Sequence, residues 1–249
     1  MAASDTRTEP RQAHAAAAVS GKTPRHVAFI LDGNRRWARH HGLSVDEGHR
    51  VGLGKVPEVL EWCEEYGIEV ATVWLLAVRN LQRDAAELKG LFTVCEDVVR
   101  ELIERRRWRV RPMGFLDLLP NRVAEACREA EAATASLAGL QANLAIAYDG
   151  RAEIEAGVRT LVAEMVRSHE SIETGVTSQR IAESLFTRGL PDPDLVIRTS
   201  GEQRTSGFLI WQAAQAEWFF SPLYWPDFSR AHFHEALNAY AARSRRLGC

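Results

Sequence analysis

The chain has few cysteines, no long apolar run and almost no net charge, and each absence narrows what it can be. The four cysteines, Cys63, Cys95, Cys127 and Cys249, stand far apart without CxxC spacing. That argues against a disulfide framework or a zinc ribbon and predicts a reducing, cytoplasmic setting. No stretch approaches the roughly 18 apolar residues of a membrane span. The Ala-rich start (Ala15 to Val19) lacks both the basic and the apolar region of a signal peptide. A formal charge of −2 argues against general nucleic-acid binding, which needs a broad basic surface. Any anion site must therefore be local. No repeat at solenoid periods is found.

What is present is 249 residues, 46% of them hydrophobic, enough to bury one sizeable core. Residues 1–24 are rich in Ala, Ser, Thr and charge without helical or strand period; they predict a disordered leader. A single domain is expected over 25–249. Within it, short apolar runs (26–31, 70–78, 108–116, 140–148 and 194–198) alternate with longer segments of helical period. This pattern predicts an α/β fold with a central, mostly parallel β-sheet flanked by helices. The clearest helix is 84–107, where Leu88, Leu91, Phe92, Cys95, Val98, Val99 and Leu102 form one stripe. It reads either as a helix packed on the sheet or as the wall of an apolar substrate cavity.

Ligands of open α/β sheets bind beyond the carboxyl ends of the strands, and three such ends here are polar. The first is Asp32-Gly-Asn-Arg-Arg-Trp37, the second carries Arg79, Asn80 and Arg83, and the third carries Arg198 and Arg204. Arginines arriving from three strands would repel one another unless anions lay between them, which points to more than one phosphate group. Asp32 among such cations reads either as a turn former or as a carboxylate for Mg²⁺ shared with substrate phosphates. The run Gly48 to Lys55 fails as a Walker loop, having His49 and Val56 where Gly and Ser/Thr are needed. His232, His234 and Glu235 read as helix surface rather than as metal ligands.

Five blocks, 26–43, 48–52, 190–212, 216–220 and 225–228, resemble in order and length the signature blocks of the cis-prenyltransferases, typified by undecaprenyl diphosphate synthase. The resemblance implies a homodimer with a deep apolar tunnel and a Mg²⁺-dependent condensation of an allylic diphosphate with a second C5 isoprenoid diphosphate. It makes Asp32 and Asn80 catalytic. Asp32 and Glu217 become the magnesium carboxylates, Glu217 being reached from the partner region of the site. Gly33, Asn34, Arg35, Arg36 and His49 become the allylic diphosphate cradle, with Trp37 flanking it. Arg198, Arg204 and Ser206, with Arg83 nearby, become the site of the second diphosphate. Peripheral contact with a lipid surface for product release is a further expectation.

The chain departs from the family pattern mainly in one block. Where that pattern reads Ser-x-Glu-Asn-Trp-x-Arg, this chain has Ala77-Val78-Arg79-Asn80-Leu81-Gln82-Arg83; Asp149 interrupts a Tyr-Gly-Gly-Arg pattern, and Val45, Gln203 and Gly207 also differ from it. These changes fall where the acceptor binds. They fit a short-chain cis-prenyl diphosphate synthase. They also fit an irregular head-to-middle coupling in which dimethylallyl diphosphate is the acceptor and the product is of lavandulyl type. A non-catalytic partner subunit is disfavoured, because Asp32, Arg36, Arg198, Arg204 and Glu217 are all kept.

Overall fold

The computed structural model describes residues 22–243. The expected leader lies outside that range apart from residues 22–24, as does Cys249. The five predicted strands are all present, as β1 (His26–Ile30), β2 (Val70–Trp74), β3 (Arg109–Met113), β4 (Gln141–Ala145) and β5 (Leu195–Arg198). A sixth, β6 (Glu217–Phe220), lies outside the predicted strands. Its sequence EWFF neither alternates nor is fully buried, so it carries none of the periodicity by which strands are read.

All six strands are parallel, in the order β3-β4-β2-β1-β5-β6. Every residue of β1, β2, β4 and β5 is buried, as expected of parallel strands covered on both faces. Alternate residues feed two cores. Val27 and Phe29 join the larger core, and Ala28 and Ile30 join the smaller core with Trp74, Phe208 and Ala213. The helices are α1 (Asn34–His40), α2 (Val45–Leu53), α3 (Val56–Glu65), α4 (Ala85–Arg105), α5 (Asn121–Thr134), α6 (Gly150–Ser168), α7 (Ile172–Gly175), α8 (Ser178–Glu183) and α9 (Arg230–Ala241).

Helix α4 is the predicted 84–107 element. Asp84 caps it by accepting from the Ala86 N–H at 2.9 Å, and left-handed Arg106 (φ 46°) ends it. Its stripe buries Leu91, Val94, Cys95, Val98, Val99 and Leu102 and packs on α5 and α2, each full side-chain burial contributing about 1.5–3 kcal/mol. Leu91 also lines a cavity described below.

The strand order decides where the site lies. β1 sits between β2 and β5, which brings the three polar strand ends side by side. The connections from β1 run toward β2 while β5 returns on the other side, making this a topological switch point.

Candidate active site at the carboxyl edge of the sheet

Asp32 follows β1 by two residues and is held by its backbone. Its N–H donates to Ile30 O at 2.9 Å, while its carbonyl accepts from the Thr199 hydroxyl at 2.7 Å and from the Trp225 N–H at 3.0 Å. The carboxylate accepts from Arg198 Nη2 at 2.9 Å and from Arg36 Nη2 at 3.3 Å. Arg198 is only 2% exposed, a guanidinium that could not be buried without that partner. It also donates to Ser206 Oγ at 2.8 Å and to the Arg204 carbonyl. Arg36 continues to Glu202 at 3.2 Å, and Glu202 in turn holds Arg204. The hydrogen bond from Arg204 and the charges of Arg204 and Arg36 lower the pKa of Glu202.

The loop that carries these groups is strained. Ser200, Ser206 and Leu209 have φ of 81°, 53° and 45°, conformations that cost on the order of 1–3 kcal/mol each and gather at functional sites. Gly33 (φ 112°) is required where it stands, since a Cβ there would meet Tyr224 Cδ1 at 2.8 Å.

Beside Asp32, a cavity of about 310 Å³ is lined by Gly33, Asn34, Arg35, Arg36, Arg39, His49 and Arg83. Asn34 donates to Leu31 O at 3.2 Å, but its Oδ1 is buried without a partner. Helix α2 reaches this wall because the Ser44–Glu47 capping box starts it and because Gly48 and Gly52 allow contact with Asn34. A Cβ at Gly52 would lie 2.0 Å from Asn34 Oδ1. His49 is buried, with Nδ1 unpartnered. Desolvation, then the Arg83 charge, push its pKa down to about 4, so near neutral pH it is an uncharged imidazole.

A second cavity, of about 130 Å³, adjoins the first and shares Asp32, Asn34, His49 and Arg83 with it. Its floor is Trp74, stacked on Phe208 with centroids 4.9 Å apart, and its apolar end is formed by Leu53, Leu75 and Leu91. The Arg79 guanidinium lies 5.7 Å from the Trp74 ring centroid, a cation–π contact. Asn80 turns inward to accept the Ala77 N–H at 3.0 Å. Glu87, in the first turn of α4, holds both Arg83 (3.0 Å) and Arg35 (3.5 Å).

Most of the candidate residues therefore meet: Asp32, Gly33, Asn34, Arg35, Arg36, His49, Asn80, Arg83 and Arg198 all line the paired cavities. Arg204 and Ser206 line neither; their side chains contact Glu202 and Arg198 respectively. Trp37 flanks the site facing away, its Nε1 donating to Asp227 at 2.7 Å and its ring on His41. Glu217 does not reach Asp32 within one chain. It opens β6 in register with Leu195, whereas Phe220 pairs with Arg198, which puts it three residues, roughly 10 Å, toward the amino edge, where it holds Arg243. Asp149, among the departures, accepts from the Arg151 and Ala152 N–H groups at 3.0 Å each and caps α6.

Residues outside the candidate set also belong here. Arg39 lies one turn from Arg35 on α1 and was findable by helical spacing. Glu87, Glu202, Trp74 and Tyr224 gave no signal, because they come from elements whose proximity only the fold sets.

Among the described residues no three His, Cys, Asp or Glu side chains gather as a ready metal cage. The donor set suits a different arrangement. Asp32 offers a hard carboxylate oxygen and is 30% exposed, while the orphaned Asn34 Oδ1 and His49 Nδ1 line the same space. A magnesium ion that takes one protein carboxylate and completes its octahedron with substrate phosphate and water fits this geometry.

Two arginine-lined cavities thus meet at one aspartate, and one of them has an apolar end. The undecaprenyl diphosphate synthase model of the prenyltransferases matches residues 30–248, and the chain belongs to that family. It is 50% identical over 230 residues to a (2Z,6E)-farnesyl diphosphate synthase of Thermobifida fusca, covering 91% of this chain and 90% of that protein. It is 46% identical over 236 residues to a short-chain Z-isoprenyl diphosphate synthase of Mycobacterium leprae, covering 93% and 90% respectively. Among solved structures, lavandulyl diphosphate synthase from Lavandula x intermedia in complex with dimethylallyl diphosphate superimposes with a TM-score of 0.87 at 32% identity, covering 91% of this chain and 99% of that one. The chain is thus a prenyltransferase of single-domain α/β fold, and no described helix is long and apolar enough to cross a membrane.

Proposed function

We propose that the chain condenses an allylic diphosphate with a second C5 isoprenoid diphosphate to give a short-chain cis-prenyl diphosphate. The observation that carries this reading is the pair of cavities sharing Asp32, Asn34, His49 and Arg83, with the buried polar atoms Asn34 Oδ1, His49 Nδ1, Trp74 Nε1 and Arg198 Nε lacking partners there. Such orphans demand an explanation: the Trp74 and Arg198 N–H groups are donors, and diphosphate oxygens are acceptors suited to them.

In the reaction, the allylic C–O bond breaks, diphosphate departs and the carbocation is attacked by the double bond of the acceptor, which then loses a proton. Arg35, Arg36 and Arg39 are the donors preorganised where negative charge grows. Magnesium, held by Asp32, would add Lewis-acid stabilisation of the leaving group. Arg79, Arg83 and Arg198 face the second diphosphate, with Arg204 and Ser206 holding Arg198 in place. Trp74 and the leucines keep the hydrocarbon dry. Ala77 has no hydroxyl and Arg79 is a cation, so neither supplies a base; the departing diphosphate is itself an oxyanion able to take the proton. The small apolar end supports a short product.

Glu217 serves as a magnesium carboxylate only if a second copy of the chain presents it. The edge strand β6, half-buried throughout with Trp218 and Phe220 stacked at 5.7 Å, supports a homodimer through that edge. A second reading, head-to-middle coupling with dimethylallyl diphosphate as acceptor, is favoured by Ala77 and by Arg79 on Trp74, which remake the acceptor wall. Product analysis with dimethylallyl diphosphate alone, then with isopentenyl diphosphate added, separates the two. A strict requirement for isopentenyl diphosphate supports the first reading, and a branched C10 diphosphate from dimethylallyl diphosphate alone overturns it.

A further inference from the structure

Arginines in this protein are mostly spoken for. Among the described residues, those without an ion pair to a carboxylate include Arg39 and Arg79, which line the paired cavities, and Arg109, Arg111 and Arg188, which line one other. That third cavity, of about 460 Å³, runs along the open edge of β3 between α5 and the segment after α8. Its one lining acid is Glu131.

The cluster is built rather than incidental. Arg111 is half-buried and gives one N–H from each terminal nitrogen to a main-chain carbonyl, Phe186 O at 2.7 Å and Arg188 O at 2.9 Å, neither of which neutralises it; its other N–H groups stay free for a ligand. Burial, then the Arg188 charge, lower its pKa; Glu131 opposes the shift and Arg109 adds to it. Arg109 donates to Gln141 Oε1, also neutral, at 2.5 Å. Two exposed cations brought beside a half-buried one are unfavourable unless an anion joins them.

The backbone of the groove excludes the other common occupant of a sheet edge, an added peptide strand. The Val110 N–H is taken by Thr134 Oγ1 at 2.9 Å, and Pro112 has no N–H to give, so the edge cannot extend its ladder. What remains for recognition is three guanidinium groups with Phe186, Leu116 and Pro112 beside them. Guanidinium forks read phosphoryl oxygens.

We propose that this β3-edge groove is a second, non-catalytic site for a phosphate or diphosphate group, separate from the paired cavities and independent of the reaction assigned to them. Two carriers present that group, a free inorganic anion and an alkyl phosphate whose chain lies on Phe186 and Leu116.

The test is calorimetric titration of the full-length protein at low salt with inorganic diphosphate and, separately, with hexyl phosphate. The comparison is with Arg109→Gln/Arg188→Gln and with Arg188→Glu, whose exposed side chain makes no hydrogen bond of its own among the described residues. An Arg36→Gln variant weakens the catalytic cavity so that the groove can be counted alone. The expected result is one binding event that survives in Arg36→Gln, weakens by at least about tenfold in both groove variants, and leaves their prenyl-transfer turnover at the wild-type level. Tighter binding of hexyl phosphate than of diphosphate assigns the site to an alkyl phosphate, and the reverse assigns it to the free anion. Isotherms that do not differ between wild type and Arg188→Glu overturn the proposal.

Discussion

Arg198 Nη2 stands 2.9 Å from Asp32 Oδ2, with the arginine 2% exposed and the aspartate 30% exposed. The pair joins the end of β5 to the end of β1, and it makes the carboxylate proposed to hold magnesium part of the protein's own packing. Asp32→Asn removes the charge and keeps the shape. Turnover should fall by about 100- to 1000-fold, as when one preorganised electrostatic contact is lost. Stability should fall by about 3 kcal/mol, the low end for breaking a buried pair because Asp32 is partly solvated. Steady-state diphosphate release and a denaturant titration check both; near-normal turnover would refute the assignment of Asp32.

The acceptor wall gives a second prediction. Arg79→Ala removes the cation over Trp74 without touching Asp32 or Arg36. The Michaelis constant for the acceptor should rise about tenfold or more, while that for the allylic substrate stays within about twofold. Equal effects on both constants would place Arg79 outside the acceptor site.

Gly52 tests how α2 shapes the cradle. A Cβ there meets Asn34 Oδ1 at 2.0 Å, so Gly52→Ala must push Asn34 or the helix aside. It should cost about 1–3 kcal/mol of stability, the usual range for overpacking, and raise the allylic Michaelis constant. A fully stable variant with unchanged kinetics would show that Asn34 has room to move.

Acid sensitivity follows from His26 and His49, whose pKa values are both lowered to about 4, chiefly by burial. A depressed histidine pKa means that the unfolded chain binds more protons than the folded one between about pH 6.5 and 4. Stability should therefore hold above pH 6.5 and decline as pH falls through that window. Each histidine accounts for up to about 3 kcal/mol by pH 4. Urea titrations across the window should show the decline, and His49→Asn should remove about half of it; a flat profile from pH 6.5 to 4 would contradict the burial of both rings.

Asp149 is a departure whose role lies in the helix rather than in the chemistry. Because it caps α6 through two backbone N–H groups, Asp149→Ala should cost about 1 kcal/mol in thermal or chemical melts and leave product identity unchanged. A changed product would move Asp149 into the acceptor site.

Much of this was legible in the sequence, for reasons that differ by element. β1, β2, β4 and β5 are buried on both faces and so announce themselves as apolar runs, while α4 shows its stripe because only one side is covered. β6 stayed hidden because an edge strand of consecutive aromatic residues has no period. Asp32, Arg36, Asn80 and Arg198 were found because the residues after a parallel strand must face the ligand edge. Glu202 and Glu87 were not, since each becomes part of the site only by clamping arginines from other segments.

By itself the sequence determined five of the six strands, the long helix, the local concentration of arginine in a nearly neutral chain and the family, all of which are properties of contiguous residues. The tertiary structure decided what depends on strand order. Placing β1 between β2 and β5 unites three strand ends into two cavities around Asp32, turns Trp74 into a floor under Arg79, and sets Glu217 at the far edge of the sheet. Distances between segments far apart in the chain are fixed by packing and hydrogen-bond register, and no local pattern encodes them.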